Sequence, residues 1–228
     1  MYKHVIKRLI DLILSSVAII VLALPMLIIA IAIKIDDPGP VLFKQKRVGK
    51  KKNGEITYFM IWKFRSMKMS TPHDIPTHLL ENPDQYITRV GRFIRKTSLD
   101  ELPQIYQVFT SKLSAIGPRP ALWSQEDLVA EREKYGANDI KPGITGWAQI
   151  NGRDELEIDV KAKFDGEYAA ALNAGKFKGF LMDVKCFFGT IVSVLKSDGV
   201  VEGGTGEMKK EQDKQTENQT EQKETVAK

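Results

Sequence analysis

Leu12-Ile13-Leu14-Ser15-Ser16-Val17-Ala18-Ile19-Ile20-Val21-Leu22-Ala23-Leu24-Pro25-Met26-Leu27-Ile28-Ile29-Ala30-Ile31-Ala32-Ile33 runs 22 residues without a charge, and only its two serines and Pro25 interrupt the apolar side chains. That is long enough to cross the hydrocarbon core of a bilayer. It exceeds the apolar part of a cleavable signal, and no small-residue cleavage site precedes the basic stretch that follows. Length and hydropathy alone favour one spanning helix. Two features oppose it. Pro25, at the midpoint, removes a backbone donor and clashes with the preceding turn, which predicts a bend. Both flanks are also basic, with Lys3, Lys7 and Arg8 before the run and Lys34, Lys44, Lys46, Arg47 and Lys50 to Lys52 after it. Basic flanks prefer the cytoplasmic side, and a straight span would leave one of them outside. A helix-break-helix hairpin entering and leaving one leaflet, broken at Pro25, satisfies both features and stands level with the straight span.

The 228 residues suffice for one sizeable domain with appendages. A net charge of +5 points to an acidic partner, whether nucleic acid, an anionic membrane surface or a phosphorylated substrate. The single cysteine, Cys186, excludes a disulfide framework or a thiol metal site and suits a reducing compartment.

Asp36-Asp37-Pro38-Gly39-Pro40 ends the apolar run with strong breakers. Residues 41–49 read as a short basic strand, 50–54 as a hairpin turn and 56–67 as a second strand, whose alternation puts Lys63 and Arg65 on one side. Two cations so spaced make either a solvated face or a phosphate clamp. Residues 69–86 hold three prolines with His73 and His78, which lack a convincing metal-ligand set. Arg89, Arg92 and Arg95 then fall near one helical face and lead into Arg95-Lys96-Thr97-Ser98-Leu99-Asp100-Glu101-Leu102-Pro103-Gln104. Ser98 and Glu101 have the spacing of a capping box, with Leu102, Ile105, Tyr106 and Phe109 forming the apolar stripe of the helix behind it. This puts Asp100 in a first helical turn, where amide donors favour an ionised carboxylate and can hold a phosphate. On local grounds a plain helix start explains the acids equally well.

Further on, Gly117-Pro118-Arg119-Pro120 pre-orders one arginine between prolines. Residues 122–135 read as a charged amphipathic helix. The stretch 140–153 carries three glycines that permit close backbone approach to a ligand, and Trp147, suited to stacking on a base or packing in the core. It is neither a Walker loop nor a dinucleotide fingerprint. Residues 154–172 read as a surface helix. Residues 180–195 are apolar round most of the circumference, as in a core helix or one in the membrane interface, with the interface favoured by the first segment. From Gly203 the composition collapses to a polar tail expected to be disordered.

Across nearly all of residues 1–202, the chain resembles the bacterial sugar transferases, the monotopic polyprenyl-phosphate phosphoglycosyltransferases. The likeness rests on the Pro-interrupted apolar segment with Pro38-Gly39-Pro40, on Lys63-Phe64-Arg65-Ser66-Met67, and on Arg95 with Ser98-Leu99-Asp100-Glu101-Leu102-Pro103-Gln104. Gly117-Pro118-Arg119-Pro120 and Pro142-Gly143-Ile144-Thr145-Gly146 through Gly152-Arg153 complete it. The resemblance implies a mainly helical α+β fold: a re-entrant membrane hairpin over 1–35, a cytoplasmic catalytic domain over 36–202 with a small β element and interfacial helices, and the tail over 203–228. It implies transfer of a sugar 1-phosphate from a UDP-sugar, with an N-acetylated amino sugar favoured, to undecaprenyl phosphate with release of UMP. This is an early step of surface glycan synthesis at the bacterial inner membrane, before downstream glycosyltransferases.

By resemblance, Asp100 is the nucleophile and Glu101 helps bind Mg²⁺, with both carboxylates at the metal. Lys63, Arg65, Arg95 and Arg119 handle phosphate, and Thr145, Gln149 and Arg153 are candidates for nucleotide or sugar contact. A carboxylate attacking an anionic diphosphate needs that charge neutralised, which the cations and metal would do. A membrane-tethered nucleic-acid binder is disfavoured, because the regular aromatic interleaving of such a surface is absent.

Overall fold

The computed structural model describes residues 2–71, 83–152 and 156–196. The first segment is a single 30-residue helix, α1 (Lys7–Asp36), entered through a π-helical stretch, Tyr2–Ile6. Pro25 lies inside it. Helical structure therefore continues through Pro25 where a helix-break-helix was expected: a proline removes one amide donor and can bend a helix without ending it, and here the turns on both sides are held by packing. Before it, Lys7, Asp11 and Ser15 are buried; after it, Met26, Ile29 and Ile33 are.

The contacts of these two groups show where the helix runs. Lys7 Nζ donates to Asp183 at 2.7 Å, and Asp183 also accepts from the Tyr2 hydroxyl and, at 2.6 Å, from that of Tyr168. Asp11 accepts from Ser114 Oγ at 2.8 Å and from the Ala115 amide at 3.0 Å. Arg8 donates to the carbonyls of Val108 and Phe109. At the other end Met26, Ile29 and Ile33 pack with Phe64 and Ile94. Both ends of α1 thus rest on one folded unit, while apolar side chains such as Val17, Ile20, Leu24 and Ile28 on the remaining faces are exposed.

Strands β1 (Leu42–Val48) and β2 (Tyr58–Phe64) form an antiparallel hairpin in the register Phe43↔Lys63 and Val48↔Tyr58. Its turn carries Asn53 and Gly54 at φ 51° and 84°, the positive values that an Asn-Gly pair adopts most readily. The hairpin expected from the sequence is present, with a shorter second strand.

The second sheet was not foreseen. Residues 114–120 and 140–153, for which no strand was expected, contribute β3 (Ser114–Ile116) and β4 (Gly143–Thr145), which pair in parallel. Three-residue strands are too short to show a period, and their pairing is non-local. Glycine makes the pairing possible: a Cβ on Gly146 would lie 2.2 Å from the Gly117 carbonyl oxygen.

Helices α2 (Arg89–Lys96), α3 (Gln104–Phe109), α4 (Glu126–Glu133), α5 (Trp147–Ile150), α6 (Ile158–Asn173) and α7 (Lys176–Lys196) complete the unit, a mainly helical α+β fold. The expectation of a surface helix near 154–172 is corrected. Helix α6 buries Ala162, Asp165, Tyr168, Ala169 and Leu172, and its Tyr168 and Leu172 join Tyr2, Ile116, Ile140 and Cys186 in the main core cluster. Small residues at 162 and 169 let neighbours close over that face, which hydropathy undervalues. Helix α7 divides the two roles expected for it, burying Asp183 and Cys186 and exposing Phe177, Phe188 and Val192. Trp147 meets Phe164 edge-on at 6.4 Å and donates to Glu167, a packing role. The histidine segment at 72–82, Arg153 and the tail lie outside the described residues.

Candidate active site

Asp100 and Glu101 occupy a 3-10 turn, Leu99–Glu101, between α2 and α3. The capping box is corrected. Ser98 is left-handed at φ 55° with no side-chain cap bond, and its amide donates to the Arg95 carbonyl, so it terminates α2 instead of starting α3. Helix α3 begins only at Gln104, behind Pro103, and Asp100 is not in its first turn. The cause lies in tertiary contacts: the Glu101 carboxylate that would have closed the box is taken by two cations.

Lys63 Nζ lies 2.9 Å from Glu101 Oε1 and 3.5 Å from Asp100 Oδ2. Arg119 grips Glu101 with both terminal nitrogens, at 2.8 Å to Oε1 and 3.4 Å to Oε2. Lys63 comes from β2, the acids from the turn and Arg119 from the loop after β3. Gln107 on α3 sets their register: its side chain accepts from the Trp62 amide and donates to the Met60 carbonyl, one residue before and three before Lys63. It is 1% exposed, and nothing in its apolar neighbours announced that role.

The two adjacent carboxyls are treated oppositely. Burial raises Asp100 above the ordinary aspartate value, and Lys63, Arg119 and Arg95 offset that only in part while Glu101 adds to it. Burial would raise Glu101 as well, but Arg119 and Lys63, through charge and hydrogen bonds, overcome it and hold the group far below the usual carboxylate range. Glu101 is paired with both cations, which favour its ionised form. Asp100, 5% exposed, lies at the longer distance of 3.5 Å from Lys63. Arg95 on α2 stands within its field: burial lowers the guanidinium, and Asp100 and Asp84 counter this.

A sequence model of the bacterial sugar transferases matches residues 2–197. The chain belongs to the bacterial sugar transferase family. It is 39% identical over 179 residues to the UDP-glucose:undecaprenyl-phosphate glucose-1-phosphate transferase of Escherichia coli (strain K12), covering 73% of this chain and 36% of that protein. It is 33% identical to the undecaprenyl-phosphate galactose phosphotransferase of Salmonella typhimurium, covering 85% of this chain and 41% of that one. The exopolysaccharide production protein PSS of Rhizobium leguminosarum bv. phaseoli is 38% identical, with 84% of this chain and 96% of the relative covered. The chain thus spans about a third of the E. coli transferase and nearly all of PSS.

In this member of the family, Lys63, Asp100, Glu101, Arg119 and the field of Arg95 converge; Arg65, Thr145 and Gln149 have other partners. Arg65 was expected beside Lys63, but β2 ends at Phe64, and the guanidinium pairs with Asp37 at 3.0 Å and donates to its carbonyl, fastening the end of α1 to β2. Thr145 shares a 2.7 Å hydrogen bond with Thr190 on α7, and Gln149 donates to the Ile144 carbonyl.

For Mg²⁺, the adjacent carboxylates supply the hard oxygens the ion takes. No cluster of three or more acidic, His or Cys groups exists among the described residues, so these two carboxylates would hold an ion only together with other ligands. The set fits an ion completed by phosphate oxygens. A cation at Glu101 requires Lys63 and Arg119 to turn from that carboxylate toward the incoming anion.

Proposed function

We propose that this sugar transferase moves a sugar 1-phosphate from a UDP-sugar to undecaprenyl phosphate in two displacements through Asp100. The unequal states of Asp100 and Glu101 carry this reading. An Asp100 carboxylate oxygen bonds to the β-phosphorus, and the bond from that phosphorus to the bridging oxygen breaks, releasing UMP with the electron pair. An oxygen of the lipid phosphate then attacks the same phosphorus, freeing the Asp100 carboxylate and giving undecaprenyl-diphosphate-sugar. Lys63 and Arg119, held ready by Glu101, pass to the phosphate oxygens and with Arg95 offset their charge. Burial keeps Asp100 poorly solvated and therefore reactive once ionised. Mg²⁺, held by Glu101 and Asp100 with the diphosphate, would neutralise phosphate charge. The donor is a UDP-hexose. The relatives cited are named for glucose and galactose, and the N-acetylated amino sugars belong in the same trial.

Incubation with UDP-sugars and no lipid is expected to give UMP and a protein heavier by one phosphosugar, for a donor found by screening UDP-glucose, UDP-galactose and their N-acetylated amino forms. EDTA should stop the release and Mg²⁺ restore it. UMP formed only when lipid is added, with no mass gain, would replace the covalent route by a direct one.

For the membrane, the proposal is a re-entrant α1 in the bacterial inner membrane, with the catalytic unit on the cytoplasmic face beside the acceptor and the next glycosyltransferases. Its support is that both ends of α1 rest on one unit while exposed apolar faces of α1 and α7 remain for lipid. In a Cys186→Ala background, Lys3→Cys and Lys50→Cys should both escape an impermeant thiol reagent applied to intact cells. Labelling at residue 3 alone would mean that α1 spans.

A further inference from the structure

The loop that carries Arg119 has few donors of its own, because Pro118 and Pro120 have no amide hydrogen, and Gly117 at its start donates to the Thr145 carbonyl at 2.7 Å. Its carbonyls are the available handles, and four in a row are used. The Pro118 carbonyl accepts from the Gly143 amide and that of Ala121 from the Val48 amide, both at 2.9 Å. The two between them accept from side chains: Arg132 Nη2 donates to the Arg119 carbonyl at 2.9 Å and Arg47 Nη1 to the Pro120 carbonyl at 3.1 Å.

Arg132 lies on α4, 4% exposed, and its Nε and Nη2 also bond Asp165 Oδ2 on α6, which is 1% exposed. A buried ion pair is a weak source of stability, since its desolvation roughly cancels its attraction and apolar residues of similar volume often serve as well. What apolar residues cannot supply is the donor to the Arg119 carbonyl. We propose that Arg132, aimed by Asp165, is a positioning residue that fixes the Arg119 backbone so that its guanidinium meets Glu101 and, in turnover, the substrate phosphates. Its line of action runs from α6 through α4 to the loop, and it touches no reacting atom. The part concerning turnover rests on the function proposed above.

The test pairs Arg132→Met/Asp165→Leu, which removes the ion pair without stranding a charge, with Arg132→Lys, which keeps a charge facing Asp165 but cannot serve Asp165 and the Arg119 carbonyl in the same fork. Both are expected to fold, to lose about 100-fold in kcat/KM for UMP release, the scale of a small misplacement of a site group, and to exchange faster the amides of Gly143 and Val48, which bond the Pro118 and Ala121 carbonyls on either side of Arg119. Adding Arg119→Ala to either should cost little more, because the effects share one route. Unchanged kcat/KM in a folded variant, or losses that add in full to that of Arg119→Ala, would overturn the proposal. Should the wild-type protein release no UMP from any UDP-sugar, the function proposed above fails, and exchange of the Gly143 and Val48 amides alone then decides: unchanged exchange in folded Arg132→Lys overturns the positioning role, and faster exchange supports it.

Discussion

Asp100→Asn is expected to abolish both lipid-free UMP release and the covalent adduct, lowering turnover by about 10⁴-fold or more, as loss of a nucleophile does elsewhere. Asparagine keeps the shape of the side chain and removes its charge, so the geometry around Lys63 should survive. Glu101 should not substitute, because in the proposed route its carboxylate turns to Mg²⁺ once Lys63 and Arg119 pass from it to the phosphates. The same variant should melt at or above the wild-type temperature, and the sign follows from titration. Asp100 has a higher proton affinity folded than unfolded, so its contribution favours the native state at low pH and is lost as pH rises through the raised folded value. At neutral pH its ionised form is a cost that asparagine removes. Activity has the opposite dependence, since attack needs the ionised form: single-turnover UMP release should fall as pH falls, with the acid limb above the range of an ordinary aspartate. Normal turnover in Asp100→Asn would mean that the lipid phosphate displaces UMP directly. A limb at the ordinary position would place the reacting group elsewhere.

Gly143→Ala is expected to destabilise the protein by about 3 kcal/mol or more, at or beyond the upper end of overpacking costs, and to lower Tm by about 6–12 °C for a chain of this size. A Cβ at residue 143 would lie 2.1 Å from the Gly117 amide nitrogen and 2.6 Å from the Ile116 carbonyl carbon. Both are backbone, so no side chain can swing away and β3 must separate from β4. That separation would carry the Arg119 loop off Glu101, and UMP release should fall with stability. Gly54→Asn makes the contrast: its φ of 84° lies on the left-handed side, where Asn is tolerated, and nothing lies within 4 Å, so its cost should stay within about 1 kcal/mol. Equal melting of Gly143→Ala and the wild type would show that the parallel pairing is not the constraint described.

The charged site was largely legible because its chemistry is written in residue types. Adjacent acids, a lysine on a strand and an arginine between prolines each had a plain alternative on local grounds, and the resemblance to the family was what joined them in one site; Lys63, Glu101 and Arg119 do meet. Arg65 shows the limit of local pattern. Alternation assumes that the strand continues, whereas β2 stops at Phe64 and Asp37, far behind in sequence, captures the guanidinium. Ser98 shows another, since Ser-x-x-Glu reads the same whether the serine opens one helix or closes the previous one.

By itself the sequence determined the apolar N-terminal helix, the β1–β2 hairpin with its turn at 50–54, most of the longer helices and the residue types of Lys63, Asp100, Glu101 and Arg119, because each depends on side-chain type or short-range periodicity. Tertiary structure alone decided that α1 passes through Pro25, that β3 pairs with β4, that Arg132 and Asp165 stand behind Arg119, and that the proton affinity of Glu101 is lowered while that of Asp100 is raised. Those outcomes turn on which groups distant in the chain share a desolvated space. There a hydrogen bond, an ion pair or one missing Cβ outweighs any local preference.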